Sequence, residues 1–300
     1  AVVKINHVCN VYLDLEKENK IKESYTTNEF KSDLEKLFNN IVIKDIYDTI
    51  IRIRMVKSHE EIQEFKEAAR ITNIGLNSVL NILKPGLMEY QIAAMFEYTI
   101  RDVANCFISF NTIAASGKNA TILHYPNPID SLHEDDLILL DLGAAYGNYC
   151  ADVSRTYPIN GKYSGLAEKI YDIVLGANKN VIDVVEPGMT IKELQDLTIK
   201  FLANGCLKAG LIANEDEISK YYFHNVSHHI GLDTHDPSFR ELPLEVGNVI
   251  SDEPGLYFKE YGIGVRIEDD LLITKNGCIV LTGEIAKEKA DIEKLIASRK

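Results

Sequence analysis

Four of the chain's eight histidines, His224, His228, His229 and His235, fall within twelve residues in the run FHNVSHHIGLDTHD. Acidic residues flank that run where acids are not comfortable. Asp141 sits in LILLDLG, Asp152 in CADVSRTY, Glu253 in VISDEPGLY and Glu268 in GVRIEDDLLI, all inside strand-like apolar segments. A buried carboxylate is costly without a counter-charge or a metal. One such acid, or one histidine, reads as an ordinary structural residue; four acids in strands beside a histidine cluster point to a cation site. Asp141 and Asp152 are separated by LGAAYGNYCA, with turn chemistry at Gly147-Asn148. A hairpin with Tyr146 and Gly147 as its loop pairs Ala145 with Asn148 and Asp141 with Asp152, on one face with Cβ atoms about 5 Å apart. Glu253 and Glu268 bracket a second hairpin with the loop YFKEYGIG. Four carboxylates carry four negative charges, which two divalent cations neutralise and one does not. An oxygen-rich set with one imidazole suits Mn, Co, Fe or Zn. Two ions about 3.5–4 Å apart can hold a bridging water, lower its pKa and polarise a carbonyl, which is machinery for hydrolysis.

The elements that must position these residues follow from periodicity and caps. Residues 1 to about 55 read as a strand (HVCNVYLDL), a polar loop, a short helix around Asn28–Phe38 and a strand (NIVIKDI). Ser58 and Glu61 form a capping box for a helix that runs to about Leu83 and stops at Pro85-Gly86. A helix over about Glu89 to Val103 follows, then strands near Ile108–Ala114 and Ile122–Tyr125. The same grammar returns: a helix from about Leu166 to Val185, a stop at Pro187-Gly188, a capping box at Thr190 and Glu193, and a helix to about Ala209. Strands carrying the histidines and the two glutamates come next. Pro85 and Pro187 are 102 residues apart, with LKPGLMEYQI answering VEPGMTIKEL. Helix, Pro-Gly stop, helix and strands, stated twice, predict two α+β halves related by pseudo-symmetry with a site where they meet. Residues 286–300 read as a solvated amphipathic helix without functional signal.

Three hundred residues, 46% hydrophobic and 26% charged, describe an ordinary globule with ample core. No apolar run reaches the ~18 residues of a membrane span and no signal peptide is visible. The five cysteines (Cys9, Cys106, Cys150, Cys206, Cys278) are scattered, odd in number and never in CxxC spacing, which argues for reduced thiols in a cytoplasm. A net charge of −13 disfavours nucleic acid as a partner. The chain begins at Ala1 without Met, as a fragment or a processed chain does.

HYPNP, LDLGAAYGNYCADVSRTYPINGK, HNVSHHIGLDTHD, SDEPGLY and GIGVRIEDD, in that order, resemble the pita-bread metallopeptidases, and within them the Xaa-Pro aminopeptidase (aminopeptidase P) and prolidase branch. The resemblance covers about residues 50 to 285. It implies an α+β pita-bread (creatinase/aminopeptidase) fold with pseudo-two-fold halves over residues 51–300, preceded by a partial N-terminal α/β domain whose tail is residues 1–50. It implies Asp141, Asp152, His228, Glu253 and Glu268 as ligands of two divalent metals, most often manganese. It implies removal of an N-terminal residue that precedes proline, with Glu253 shuttling the proton from nucleophile to leaving nitrogen. His124, His224 and His235 match histidines that line the site and hydrogen-bond the substrate. Arg266 and Tyr257 match positions that face the substrate, and Phe110 and Leu123 the wall of the proline pocket; many relatives carry Tyr at Phe110. His229 reads as a group supporting the ligand or as scaffold, and as ligand it fits the motif register less well than His228. The implied substrates are peptides with proline second, and the implied assembly a homodimer or higher homo-oligomer. Only about fifty residues precede the first catalytic helix, where aminopeptidase P relatives carry a sizeable domain.

Prolidase is the nearest rival reading, because it shares every motif. A methionine aminopeptidase fits the extended GLDTHD and SDEPGLYFKEYGIGVRIE segments less well. Non-catalytic pita-bread binding modules have typically lost ligands and gained basic patches, whereas this chain keeps all five ligand positions and is acidic. Ser116-Gly117-Lys118-Asn119 lacks the upstream glycine of a phosphate loop and reads as a turn beside the site. Asn119-Ala120-Thr121 is a sequon without meaning in a cytoplasmic chain. Met88 and Met95 read as core, and Glu134-Asp135-Asp136 as solvated turn charge.

Overall fold

The structure, a computed structural model, describes residues 8–15 and 26–298. It divides into two compact units, residues 1–54 and 55–300. The first carries β1 (Cys9–Leu13), α1 (Thr27–Leu37), β2 (Ile41–Asp45) and α2 (Tyr47–Met55), which runs to the boundary. β1 and β2 pair in parallel from Cys9 opposite Ile41 to Leu13 opposite Asp45, as a strand–helix–strand order requires. Thr26 caps α1 with a capping box to Glu29. The polar loop expected between strand and helix lies outside the described residues, and α2 was not anticipated.

In the second unit Ser58 and Glu61 close the expected capping box on α3 (His59–Ile82). Phe65, Ala68, Ala69, Thr72, Leu76, Val79 and Leu80 recur at helical spacing on its buried face. The chain turns at Gly86, whose φ of 84° suits glycine, into α4 (Glu89–Ala104). The expected strand over Ile108–Ala114 is two pieces, β3 (Phe107–Ile108) and β4 (Ile113–Ser116). No strand forms over Ile122–Tyr125. A 3-10 turn over Gly117–Thr121 precedes it, closed by the Thr121 hydroxyl donating to the Lys118 carbonyl, and the following residues run irregularly to β5 (Leu137–Leu142). Then come β6 (Ala144–Tyr146), β7 (Tyr149–Cys150) and β8 (Val153–Pro158).

The second half repeats the plan. α5 (Gly165–Val184) turns at Gly188 into α6 (Ile191–Lys208), capped by Thr190 and Glu193. β9 (Val249–Asp252), β10 (Gly255–Phe258), β11 (Ile263–Arg266), β12 (Asp269–Thr274) and β13 (Gly277–Val280) follow, then α7 (Lys289–Ala297). The two turns are tied down alike. Gly86 N donates to Leu132 O at 2.9 Å and Leu132 N to Leu87 O at 2.7 Å, while Gly188 N donates to Leu244 O at 2.9 Å and Leu244 N to Met189 O at 2.7 Å. Each half also holds an antiparallel three-stranded sheet, β4-β5-β8 in one and β13-β12-β9 in the other.

The histidine run is not a strand. It lies irregularly along β9, with Ile230 N, Ser251 N and Glu253 N donating to Val249 O, His228 O and Val226 O, and one formal bridge between His229 and Ile250. The tail helix is less solvated than its composition predicts, because Ile292 and Ile296 of α7 are buried in the main core. Of the acidic turn, Glu134 and Asp135 are exposed, but Asp136 is half-buried against Gly117, where a Cβ would lie 2.6 Å from its carboxylate.

Candidate active site

The first hairpin sets Asp141 and Asp152. Ala145 pairs with Cys150 and Tyr146 with Tyr149, so the loop is Gly147-Asn148, both at positive φ (55° and 70°). A two-residue turn of this kind needs positive φ at both positions, which Gly and Asn adopt and Tyr146 does not. The expected register is therefore corrected by two residues: Asp141 lies opposite Ser154, and one step past the last pair Asp152 faces Gly143. A shift of two preserves side-chain parity, so both carboxylates still share a face. Gly143 makes the close approach possible, since a Cβ there would lie 1.8 Å from the Ala151 carbonyl oxygen. In the second hairpin Gly255 pairs with Arg266, and two further steps bring Glu253 opposite Glu268. Its turn is tighter than the expected eight-residue loop: a 3-10 turn over Lys259–Tyr261 closed by Gly262 at φ 63°.

These elements surround one cavity of about 1070 Å³. Eleven of the twelve expected site residues line it: Phe110, Leu123, His124, Asp141, Asp152, His224, His228, His235, Glu253, Arg266 and Glu268. Tyr257 does not line it. It is 1% exposed, one layer behind, its hydroxyl passing Gly255, where a Cβ would lie 2.5 Å away.

Ligand atoms of Asp152, His228 and Glu268 lie within 4.8 Å of one another. His228 Nδ1 sits 3.1 Å from the His229 carbonyl and donates to it, which turns Nε2 to the site, 3.4 Å from Asp152 Oδ2 and 3.5 Å from Glu253 Oε1. His229 thus supports the site through its backbone. Its ring is buried away from the cavity, and burial with the nearby Lys57 charge lowers its pKa to about 3. Burial alone would lower the His228 pKa too, but the hydrogen bond to Asp152 and the charges of Glu253 and Asp152 raise it to about 9. The carboxyl pKa values rise too: burial, then the Asp152 charge, outweigh Arg266 at Asp141 (about 6) and His228 at Glu253 (about 7). Glu268 is pushed well above the usual range by burial and by Asp152, Glu253 and Asp141. Like-charged groups so crowded, with an imidazole among them and Asp141 Oδ1 buried without a hydrogen-bond partner, are a donor set that fits divalent cations.

Arg266 organises the opposite side. Its Nη2 donates to Asp141 Oδ2 at 2.7 Å, its Nε to Ser154 Oγ at 2.7 Å and its Nη1 to the Tyr257 hydroxyl at 2.9 Å. Tyr257 continues to His224 Nε2 at 2.9 Å, and His224 Nδ1 donates to the Asn225 carbonyl at 2.9 Å while lying 3.7 Å from Glu253 Oε2. Burial, then the Arg266 charge, lowers the His224 pKa to about 3, so the ring is neutral and accepts from Tyr257. His124 and His235 are exposed to the cavity, and His235 meets His228 edge-on with ring centroids 4.3 Å apart.

Several groups of the site were not singled out in the sequence. Ser154 donates to Glu268 Oε2 at 2.7 Å while accepting from Arg266, and its place two residues past Asp152 in a strand would have put it on the same face. Thr234 and Arg240 also line the cavity, and no sequence pattern marks them. Behind the ligands Asp269 accepts from Arg155 and Lys287, each at 2.7 Å. Burial alone would raise its pKa, but those two cations hold it well below the usual range. Arg155 Nη1 also grips the Glu268 carbonyl. Lys57 Nζ and Asp236 Oδ2 form a buried pair 3.5 Å apart beneath the histidine run.

Residues 63–275 match metallopeptidase family M24. The Xaa-Pro aminopeptidase of Haemophilus influenzae is 32% identical over 92% of this chain and 74% of its own length. That of Escherichia coli is 34% identical over 83% of this chain and 61% of its own. A putative aminopeptidase P from Bacillus anthracis superposes with a TM-score of 0.93 at 41% identity, covering 97% of this chain and 70% of that one. Zinc-substituted Escherichia coli aminopeptidase P in complex with product gives a TM-score of 0.88 at 32% identity, covering 97% of this chain and 71% of that one. The pita-bread fold of the aminopeptidase P structures is the fold of this chain.

Proposed function

The chain belongs to metallopeptidase family M24, and on that premise we propose that it is an aminopeptidase hydrolysing the bond between an N-terminal residue and a following proline. The observation that carries this reading is the convergence of Asp152, His228 and Glu268 within 4.8 Å, in a cavity also lined by Asp141 and Glu253. Those five residues would hold two divalent ions, manganese in the first instance. Such a pair, when bound, supplies a water of lowered pKa and polarises the scissile carbonyl. Glu253, with an oxygen 3.7 Å from the neutral His224, accepts the proton of the attacking water and returns it to the leaving nitrogen. His124 and His235, on the open wall, donate to the scissile carbonyl and the tetrahedral intermediate. His224 and Arg266, joined through Tyr257, line the same cavity beside the substrate, and Arg266 holds Asp141 in place. Phe110 and Leu123 form the apolar wall for the proline ring, and Phe110 offers no hydroxyl to the substrate.

The relatives' shares of 74% and 61% leave part of each relative's length unmatched, and we read residues 1–50 as the tail of an N-terminal domain. We place the protein in the cytoplasm, a reading supported by five free cysteines, and expect a homodimer or higher homo-oligomer. No described helix is long and apolar enough to cross a membrane.

Product analysis with added manganese tests the function, offering Ala-Pro and Ala-Pro-Ala side by side. Release of Ala from the tripeptide supports the aminopeptidase. Cleavage of the dipeptide alone makes it a prolidase, the second reading, because the same ligand set serves both. Cleavage of neither, without metal uptake, overturns the catalytic reading in favour of a binding module.

A further inference from the structure

Two of the site's histidines ride on segments without regular structure. His124 lies between the 3-10 turn at Gly117–Thr121 and β5, and His224 lies between α6 and β9. Irregular backbone holds a fixed course only where its polar groups find partners. In each half, one buried or half-buried side chain from the second helix supplies them.

Glu89, at the start of α4, is 0% exposed. Its Oε1 accepts from Ser116 N at 2.7 Å, Ser116 Oγ at 2.8 Å and Asn119 Nδ2 at 3.0 Å, and its Oε2 accepts from Asp130 N at 3.0 Å. All four donors are uncharged. They lie at the two ends of residues 116–130, so one carboxylate closes the loop that has His124 near its middle. Asn119 Nδ2 also reaches the hydroxyl of Tyr125, the next residue after His124, at 3.0 Å.

Gln195, on α6, does the corresponding work on the other side. Its Oε1 accepts from Val226 N at 2.6 Å and from the Tyr222 hydroxyl at 3.2 Å, and its Nε2 donates to the His224 carbonyl at 3.0 Å. By the repeat spacing of 102 residues, the counterpart of Glu89 is Ile191, a buried apolar residue. Gln195 is one helical turn beyond Ile191 and so on the same face. The repeat therefore folds with an apolar residue at that position, and a buried carboxylate there is not a demand of the helix pair. What the two halves share is a polar side chain reaching from the second helix to the segment that bears a site histidine.

We propose that Glu89 and Gln195 are positioning residues: Glu89 sets the place of His124 and Gln195 that of His224. The inference rests on the reading of the cavity as the catalytic site, but its structural content can be tested without turnover. Chain labelled at histidine, with diamagnetic zinc added, gives one imidazole resonance each for His124 and His224, identified by their loss in His124→Ala and His224→Ala. Glu89→Gln puts an amide N–H against the Asp130 N–H, and should shift or broaden the His124 resonance while leaving that of His224 in place. Gln195→Leu should do the reverse. Movement of both resonances in either variant, or of neither, overturns the assignment, because a general loss of packing does not select one histidine. Should Glu89→Gln fail to fold, Ser116→Ala removes one donor to the same carboxylate and should move the His124 resonance alone; no movement overturns the role. Activity on Ala-Pro-Ala adds a second arm. Glu89→Gln should lower kcat/KM about tenfold, the scale of lost supporting contacts, and should cost less than about twofold more in a His124→Ala background. Losses that multiply overturn the action of Glu89 through His124. Crossed resonance shifts without turnover by the unsubstituted chain would leave the positioning intact and sink the catalytic reading instead.

Discussion

Arg266 holds one oxygen of Asp141 at 2.7 Å and leaves the other, buried, without a hydrogen-bond partner among the described residues. The guanidinium is 2% exposed, and each of its three nitrogens donates, to Asp141, Ser154 and Tyr257. Removing one member of a buried ion pair strands the other, at a cost of about 3–5 kcal/mol. Arg266→Met should therefore lower the urea-unfolding free energy by about that amount in metal-free protein. The loss should shrink at saturating manganese, because a cation on the free oxygen of Asp141 replaces the missing charge. Equal losses with and without manganese would show that Asp141 is not a ligand.

The protonation of the cluster gives a prediction of a different kind. In the metal-free site the His228 pKa is about 9, that of Glu253 about 7 and that of Asp141 about 6. A cation must displace whatever protons these groups carry. At pH 8 His228 is still protonated while Glu253 and Asp141 have ionised, so binding should release at least one proton, with Glu268, pushed well above the usual range, adding to it, and more as the pH falls toward 6. Metal affinity should accordingly rise with pH across this window. Calorimetry of manganese binding in two buffers of different ionisation enthalpy checks it: a heat independent of buffer at pH 8 would mean that His228 is not a ligand.

What the sequence showed and what it did not divide along physical lines. The helices α3, α5 and α6 were legible because capping boxes and Pro-Gly stops are local signals. The convergence of Asp141, Asp152, Glu253 and Glu268 was legible because acids in apolar strands are costly. The register between Asp141 and Asp152 was misplaced by two residues because Tyr146-Gly147 and Gly147-Asn148 both contain turn chemistry, and only the positive φ at Asn148 decides. Residues 122–125 and the histidine run read as strands, yet the first lie in a loop that Glu89 closes at its two ends, and Gln195 and β9 take polar groups of the second instead of a sheet ladder. Such side-chain clamps join positions 41 and 31 residues apart and leave no periodic trace.

Lys57 and Asp236 meet beneath the histidine run, each side chain 1% exposed. Asp236 N also bonds the His229 carbonyl at 2.9 Å, and Gly231 leaves room for its carboxylate, since a Cβ there would lie 2.4 Å away. The pair thus pins the turn that projects His235 into the cavity. Lys57→Met should destabilise the protein by about 3–5 kcal/mol. Lys57→Arg keeps the charge and should recover part of that loss. Denaturant titration of both variants is the check, and a neutral Lys57→Met would show that the pair contributes nothing.

Two glycines separate backbone strain from close approach. Gly86 has φ 84° and open space where a Cβ would go, so Gly86→Ala should cost only the left-handed penalty, about 1–2 kcal/mol. Gly143 lies opposite Asp152, one step past the last pair of β5 and β8, and a Cβ there would lie 1.8 Å from the Ala151 backbone oxygen, an obstacle no rotamer change relieves. Gly143→Ala must push the two strands apart and should cost about 3 kcal/mol or more, beyond ordinary overpacking. Because the displaced backbone adjoins Asp152, this variant should also weaken manganese binding at temperatures where it remains folded, whereas Gly86→Ala should bind manganese as the unsubstituted chain does. Thermal melts across a manganese titration report both quantities. A Gly143→Ala protein with an unaltered metal-dependent rise in Tm would show that the spacing of the two strands does not set the site.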